Sequence, residues 1–113
     1  MSRLVLASKS PSRAALLAGA GLDFDTEPSL VDERAVEEPL LAAGEGPGAI
    51  ALHLAEAKAL DVAGRRPADL VLGCDQTLGL DAERFVKPAS VAEAREHLLR
   101  LRGRPHELHS ALV

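Results

Sequence analysis

The stretch LVLASKSPSR, residues 4–13, joins a short apolar run directly to the start of a helix. The run from Arg3 to Ala7 predicts a buried strand. Ser10 fits the N-cap of the following helix, and Pro11 fits its first position, where a missing N–H costs no hydrogen bond. Glycines at 19 and 21 mark the end of this helix. The stretch therefore predicts a strand followed at once by a helix, as at the beginning of an α/β fold.

Four further segments in the first two thirds of the chain have patterns that predict an element or a loop. Phe24–Leu30 alternates loosely and predicts a strand, whereas Glu37–Gly48 is rich in Pro, Gly and Glu and predicts a loop. A helix is predicted next, with one apolar face made of Ile50, Leu54, Ala57 and Leu60. The apolar run Asp69–Asp75 then predicts a central strand that is buried on both faces.

The last third predicts a hairpin, a helix and a final strand. The hairpin strands are Gln76–Leu80 and Arg84–Val86, with Asp81-Ala82-Glu83 as the turn. Ser90-Val91-Ala92-Glu93 is a capping box for a helix that ends at Gly103 and turns Leu98 and Leu101 to the core. His106–Val113 returns to a strand pattern. This order predicts an α/β fold with a mixed sheet and flanking helices, in a single domain over residues 1–113 that ends within a strand.

Composition excludes several classes of protein. Of the 113 residues, 47% are hydrophobic and 27% are charged, which argues against disorder. The net charge of −4 and the pI near 5.5 argue against a protein that binds nucleic-acid backbones. No apolar segment reaches the roughly 18 residues that a membrane span needs. Cys74 is the single cysteine and cannot form an internal disulfide, so we expect a cytoplasmic protein.

The first candidate site is the strand-to-helix junction at residues 8–13. Exposed N–H groups at a helix N-terminus, the hydroxyls of Ser8 and Ser10, and the charges of Lys9 and Arg13 favour binding of an anion such as phosphate. An ordinary capped helix start with solvated charges explains the same residues about equally well.

The second candidate is Asp75, which follows the predicted central strand. Ligands of open α/β sheets bind beyond the carboxyl ends of the strands, so a carboxylate there can hold a metal ion or take a proton from water. The alternative is an aspartate that only forms a turn. Asp32 and Glu33 offer further carboxylates, for which a solvated acidic loop is the alternative.

Lysine is rare in this chain, with 3 lysines against 10 arginines. Lys9, Lys58 and Lys87 are therefore weak candidates for positions where a compact positive charge is needed, although chance placement on the surface is not excluded. The four histidines lack metal-ligand spacing, and Cys74 is expected to be a buried, unreactive side chain.

Five segments, taken in order, resemble the Maf family of nucleoside triphosphate pyrophosphatases. They are Leu4–Arg13, Val31-Asp32-Glu33, Ala55–Ala59, Gly73–Gln76 and Lys87-Pro88, and the likeness continues through Arg102–Glu107. It covers essentially the whole chain. The resemblance implies the fold shared by Maf proteins and inosine triphosphate pyrophosphatase. Because family members are longer, it also implies that the family's C-terminal portion is absent.

The resemblance implies a house-cleaning hydrolase that acts on acid anhydrides in the cytoplasm. Such an enzyme cleaves the α-β phosphoanhydride of a nucleoside triphosphate to a nucleoside monophosphate and pyrophosphate, with Mg²⁺ or Mn²⁺ as cofactor. Asp75 would be the general base and a metal ligand, and Glu33 would help to hold the metal or orient the water. The triphosphate would be bound by Ser8, Arg13, Lys58 and Lys87, and Gln76 would lie beside the base pocket.

Two points remain open at this stage. The Asp75-Gln76 pair resembles the branch that acts on 7-methyl-GTP more than the branch that acts on dTTP and UTP, but Ser12 stands where the family usually has an arginine. The alternatives to an enzyme are a non-catalytic remnant that binds a nucleotide or a protein partner and, less favoured, an unrelated phosphate-binding module. We expect no membrane or nucleic-acid partner and leave a homodimer open.

Overall fold

A computed structural model describes residues 2–81 and 83–113 of the chain. Its strands are β1 (Leu4–Leu6), β2 (Asp25–Thr26), β3 (Leu70–Leu72), β4 (Cys74–Leu80), β5 (Glu83–Phe85) and β6 (Glu107–Leu112). Its helices are α1 (Pro11–Gly19), α2 (Glu33–Ala42), α3 (Pro47–Arg65) and α4 (Val91–Leu101). The predicted α/β class is confirmed.

The six strands form two small sheets. The first is parallel, in the order β2-β1-β3, with Val5 paired to Asp25 on one side and to Val71 on the other. The second is antiparallel, in the order β5-β4-β6, with Leu78 paired to Phe85 and Thr77 to His109. The parallel sheet places the carboxyl ends of β1 and β3 side by side, which is where a ligand crevice is expected.

Helix α3 packs against both sheets and supplies more of the described core than any other element. It contacts β3, β4 and β6. Ile50, Leu54 and Val62 are at most 2% exposed, and Ala55 and Ala59 on the same side allow strands to approach closely. The predicted apolar face was therefore partly wrong: Ile50 and Leu54 are buried, but Ala57 is only half-buried and Leu60 is 65% exposed.

Gly73 separates the two sheets. The predicted single strand Asp69–Asp75 is in fact two strands, β3 and β4, because the chain changes sheet at this residue. Both the N–H and the C=O of Gly73 bond to the backbone of Val113. A Cβ on Gly73 would lie 2.2 Å from the carbonyl oxygen of Ala55, so no larger residue fits against α3. Nor is this run buried on both faces, since Leu70 is 68% exposed.

The loop predicted over Glu37–Gly48 was wrong except at residues 43–46, which connect α2 to α3. Residues 37–42 belong to α2, and α3 begins at Pro47. The Asp32 side chain caps α2 by accepting a hydrogen bond from the Ala35 N–H. With this cap and good helix formers in its first two turns, α2 continues past the interruption at Pro39.

Other boundaries agree with the sequence prediction or differ in detail. Ser10 caps α1, Pro11 is its first residue, and Ser90 caps α4, all as predicted. The strand predicted over Phe24–Leu30 has only two paired residues. In α4 Leu101 is buried as predicted, but Leu98 is 68% exposed. The β4–β5 hairpin is confirmed, while Ala82 of its predicted turn lies outside the described residues.

The described helices include none that is long and apolar enough to cross a membrane.

Candidate active site

Three side chains from three elements meet beside the start of β4. Lys58 Nζ on α3 lies 3.0 Å from Asp75 Oδ1, at the second residue of β4, and 2.8 Å from Glu33 Oε1, at the first residue of α2. The Lys58 and Asp75 side chains are 13% and 10% exposed, whereas Glu33 is 53% exposed. Two carboxylates therefore share one ammonium group, with Asp75 on the inner side and Glu33 on the solvent side.

This arrangement keeps Lys58 charged. Burial opposes the charge, but hydrogen bonds to Glu33 and Asp75 outweigh burial, and the pKa of Lys58 is raised above its ordinary value. Lys58 is therefore a fixed cation at physiological pH. Asp75 accepts the hydrogen bond from Lys58 through one carboxylate oxygen, Oδ1. A fixed cation beside such a carboxylate suits a site where negative charge develops during a reaction.

The strand-to-helix junction at residues 8–13 forms a compact turn. The buried Ser8 Oγ accepts a hydrogen bond of 3.0 Å from the Ser10 N–H, and Ser10 Oγ accepts one of 3.4 Å from the Arg13 N–H. Because both hydroxyls act as acceptors here, each keeps its own O–H free to donate to an anion. Lys9 is exposed next to them.

The junction and Asp75 lie at the same edge of the parallel sheet. The Ala7 N–H bonds to the Leu72 carbonyl at 2.9 Å, so Ser8 follows β1 where Gly73, Cys74 and Asp75 follow β3. Arg13 of the junction and Lys58 beside Asp75 also act electrostatically on the same thiol, that of Cys74. Burial raises the pKa of the Cys74 thiol, and the positive charges of Arg13 and Lys58 oppose that rise. The structure thus brings Ser8, Arg13, Lys58 and Asp75 to one region, and Cys74 is buried, as predicted.

Two other predicted site residues form no hydrogen bond or ion pair with this cluster in the described part of the chain. Gln76 is exposed and its amide donates to Ser110 Oγ on β6 at 3.0 Å. Successive side chains of a strand point to opposite faces, so Gln76 is directed away from Asp75. Lys87 is exposed in the segment after β5. Within the described part of the chain, none of the ion pairs includes Lys87.

Sequence reasoning missed the residues that hold the elements around the site. Arg84 on β5 pairs with Glu37 on α2. Arg65 and Arg66, at the end of α3, form ion pairs with four acidic side chains: Glu27, Asp61, Asp25 and Asp69. No local pattern pairs Arg84 with Glu37, or Arg65 and Arg66 with Glu27, because these partners are far apart in sequence. The i,i+4 spacing of Asp61 and Arg65 was visible in the sequence, and that of Glu33 and Glu37 is informative only once residues 33–42 are known to be helical.

The sequence profile of the family described as Maf-like protein matches residues 3–113, which is nearly the whole chain. The chain belongs to the Maf-like family. The resemblance drawn from the five segments is therefore confirmed.

Curated relatives of this Maf-like chain carry pyrophosphatase names. It is 57% identical over 111 residues to a 7-methyl-GTP pyrophosphatase of Mesorhizobium japonicum and 51% identical over 111 residues to one of Brucella abortus. A nucleoside triphosphate pyrophosphatase of Sphingopyxis alaskensis is 49% identical over 111 residues. These alignments cover 97–98% of this chain but 56% of each relative. The chain thus spans about half the length of the curated relatives it matches.

The donor set of the Maf-like site suits a divalent cation in part. Glu33 and Asp75 already converge on one positive group, Lys58. Mg²⁺ is commonly bound by one or two carboxylates together with water and substrate phosphates. No group of three or more His, Cys, Asp or Glu side chains that could hold a metal ion occurs within residues 2–81 and 83–113. The two carboxylates therefore fit a metal that arrives with a phosphate ligand better than a metal held by protein alone.

Proposed function

We propose that this Maf-like chain carries the phosphate-binding and catalytic residues of a nucleoside triphosphate pyrophosphatase, which hydrolyses the α-β phosphoanhydride to a nucleoside monophosphate and pyrophosphate. The observation that carries the proposal is the buried Lys58–Asp75 pair at the same sheet edge as the helix N-terminus after Ser8. A cation, a carboxylate and an anion-binding turn are the groups that attack on a phosphate needs.

In the proposed mechanism Asp75 acts on the attacking water. One carboxylate oxygen is held by Lys58 and the other accepts the water proton. The hydroxide bonds to the α-phosphorus, and the bond from that phosphorus to the bridging oxygen breaks. The bridging oxygen leaves with the electron pair as part of pyrophosphate.

The remaining residues bind and neutralise the triphosphate. The hydroxyls of Ser8 and Ser10, with the N–H groups at the start of α1, donate to phosphate oxygens, and Arg13 and Lys9 supply positive charge. Lys58 stabilises the charge that develops in the transition state. Lys87 would add a further phosphate contact, and Gln76 would contribute to the base pocket from the opposite strand face. Glu33 and Asp75 would hold Mg²⁺ or Mn²⁺, which when bound neutralises phosphate charge.

The substrate proposed first is 7-methyl-GTP. The relatives from Mesorhizobium japonicum and Brucella abortus are named for it, and Gln76 follows Asp75 here. The alternative within the same chemistry is dTTP or UTP. A house-cleaning role in the cytoplasm and a single domain over residues 1–113 are parts of the same proposal.

A second candidate function is binding of a nucleotide or a protein partner without turnover. It is supported by the turn at residues 8–13, whose anion-binding groups do not depend on Asp75. The two functions share the phosphate-binding turn and differ in whether water is activated.

Pyrophosphate release by the purified chain tests this proposal. The chain is incubated with Mg²⁺ or Mn²⁺ and, in separate reactions, 7-methyl-GTP, dTTP, UTP or CTP, with EDTA as the metal-free control. Metal-dependent release, fastest with 7-methyl-GTP, is expected. Saturable nucleotide binding by calorimetry without release would instead establish the second candidate.

A further inference from the structure

Helix α2 carries Glu33 but is weakly anchored by apolar contacts. None of its described residues is buried, and Pro39 interrupts its hydrogen bonding. Only Val36, Glu37 and Leu40 are half-buried, and the rest of the helix is exposed. Since apolar burial normally fixes a helix in a protein, the position of α2 must depend strongly on its polar contacts.

One such contact lies one turn after Glu33. Glu37 Oε2 on α2 is 2.5 Å from Arg84 Nη2 on β5, and each of these side chains is only 16% exposed. Glu33 and Glu37 are four residues apart and therefore lie on the same face of the helix. The face that meets Lys58 at Glu33 thus meets the antiparallel sheet at Glu37.

Arg84 itself lies in a strand that is hydrogen-bonded to β4. It is the middle residue of β5, where it pairs with Gly79 of β4, the strand that also carries Asp75. The Glu37–Arg84 contact therefore ties α2 to the same strand pair that positions Asp75. A largely buried ion pair is costly to break on one side, because the remaining charge is left without its partner.

We propose that Glu37 and Arg84 are a positioning pair that holds Glu33 against Lys58 and Asp75. This inference rests on the proposed function. The neighbouring pair Arg34–Glu38 provides a contrast within α2: it joins residues of the same helix at 3.4 Å, with side chains 86% and 69% exposed. It cannot fix α2 relative to β4.

The kinetic test compares variants of the Glu37–Arg84 pair with a variant of Glu38, which lies on α2 outside that pair. Arg84→Met and Glu37→Gln are expected to lower kcat about 10- to 100-fold, the usual effect of removing a residue that orients an active group. Arg84→Lys keeps the charge and should recover most of the rate, while Glu38→Gln should leave it unchanged. Equal rates for Glu37→Gln, Arg84→Met and the original protein would overturn the proposal.

A double-variant cycle separates positioning from general stability. In a Glu33→Gln protein, Arg84→Met should cause no further loss of kcat, because the group that it positions is already absent. Losses that multiply would show that Arg84 acts independently of Glu33 and would overturn the proposal. If Arg84→Met does not melt cooperatively, the near-isosteric Glu37→Gln replaces it in the same cycle.

A second readout works even if no nucleotide is hydrolysed. The chain has only three lysines, so the ¹⁵Nζ signal of Lys58 can be assigned with a Lys58→Arg variant. Slow exchange of its protons is expected in the original protein and in Glu38→Gln. The signal should shift in both Glu33→Gln and Arg84→Met. A Lys58 signal that responds to Glu33→Gln but not to Arg84→Met would overturn positioning, whereas absent pyrophosphate release would overturn only the proposed function.

Discussion

Lys58 and Asp75 form a 3.0 Å hydrogen bond between helix α3 and strand β4, and both side chains are largely removed from water. The bond joins the start of β4, the central strand of the antiparallel sheet, to the main core helix. Glu33 adds a second carboxylate to the same ammonium group at 2.8 Å. The charge of Lys58 is therefore important both for the geometry of the site and for the attachment of α2.

Loss of the Lys58 charge should destabilise the protein at alkaline pH. The hydrogen bonds from Lys58 to Glu33 and Asp75 outweigh desolvation and raise its pKa, so its stabilising effect is fully present below the ordinary lysine value of 10.5 and is lost as pH rises through the higher folded value. The chain has no tyrosine to titrate in this range. The melting temperature of the original protein should fall more steeply above pH 10 than that of Lys58→Met, in which this titration is absent.

Cys74 also titrates in alkaline solution, and its pKa depends on the charge of Lys58, so both proteins carry Cys74→Ala in this comparison. Parallel curves for the original protein and Lys58→Met would contradict the predicted role of the Lys58 charge.

Gly73 should not tolerate a side chain. In Gly73→Ala the new Cβ would meet the Ala55 carbonyl oxygen at 2.2 Å and the Ala59 Cβ at 2.8 Å, so α3 or β4 must move. We expect a loss of about 1–3 kcal/mol in the free energy of unfolding, measured by urea denaturation. Gly64→Ala, in open space on α3, is the control and should gain up to about 1 kcal/mol. A neutral Gly73→Ala would contradict the close approach of α3 to this junction.

The sequence predicts structure well where local interactions decide it. The turn from β1 into α1 was predictable because Ser10 and Pro11 are both specific to helix starts. Helix α2 was not, because Pro39 and the surrounding acidic residues are typical of loops. Its position depends on Lys58 and Arg84, which lie far away in the chain.

The candidate site was predictable residue by residue but not as an assembly. Asp75 was visible as a carboxylate at a strand end, and Lys58 as one of few lysines. Their contact depends on Gly73 letting α3 approach β4, which no spacing rule shows. Similarly, Gln76 is adjacent to Asp75 in sequence, but strand geometry turns the two side chains apart.

The apolar face of α3 can be tested with two leucines of the same helix. Leu54 is 2% exposed, whereas Leu60 is 65% exposed. Leu54→Ala should lower the free energy of unfolding by about 2–5 kcal/mol through lost burial and a cavity. Leu60→Ala should change it by no more than about 0.5 kcal/mol. Similar losses for both variants in denaturant titrations would contradict the observed orientation of α3.

The ion pairs of Arg65 and Arg66 with Glu27 should weaken in acid. Hydrogen bonds from Arg66 and Arg65 lower the pKa of Glu27, so their stabilising effect is present above the ordinary glutamate value and is lost as pH falls through the lower folded value. The melting temperature should fall between about pH 4.5 and pH 3, near where carboxylates take up protons. Arg66→Met should reduce this fall. An identical pH dependence in Arg66→Met would show that these exposed pairs contribute nothing measurable.

The most direct test of the central claim is the rate of pyrophosphate release by Asp75→Asn with 7-methyl-GTP and Mg²⁺. Asparagine keeps the shape of the side chain but cannot accept a proton from water, so the rate should fall at least about 100-fold while cooperative melting is retained. Asp81→Asn, on an exposed turn of the same hairpin, should keep the original rate. Undiminished release by a folded Asp75→Asn would contradict the assignment of Asp75 as the base.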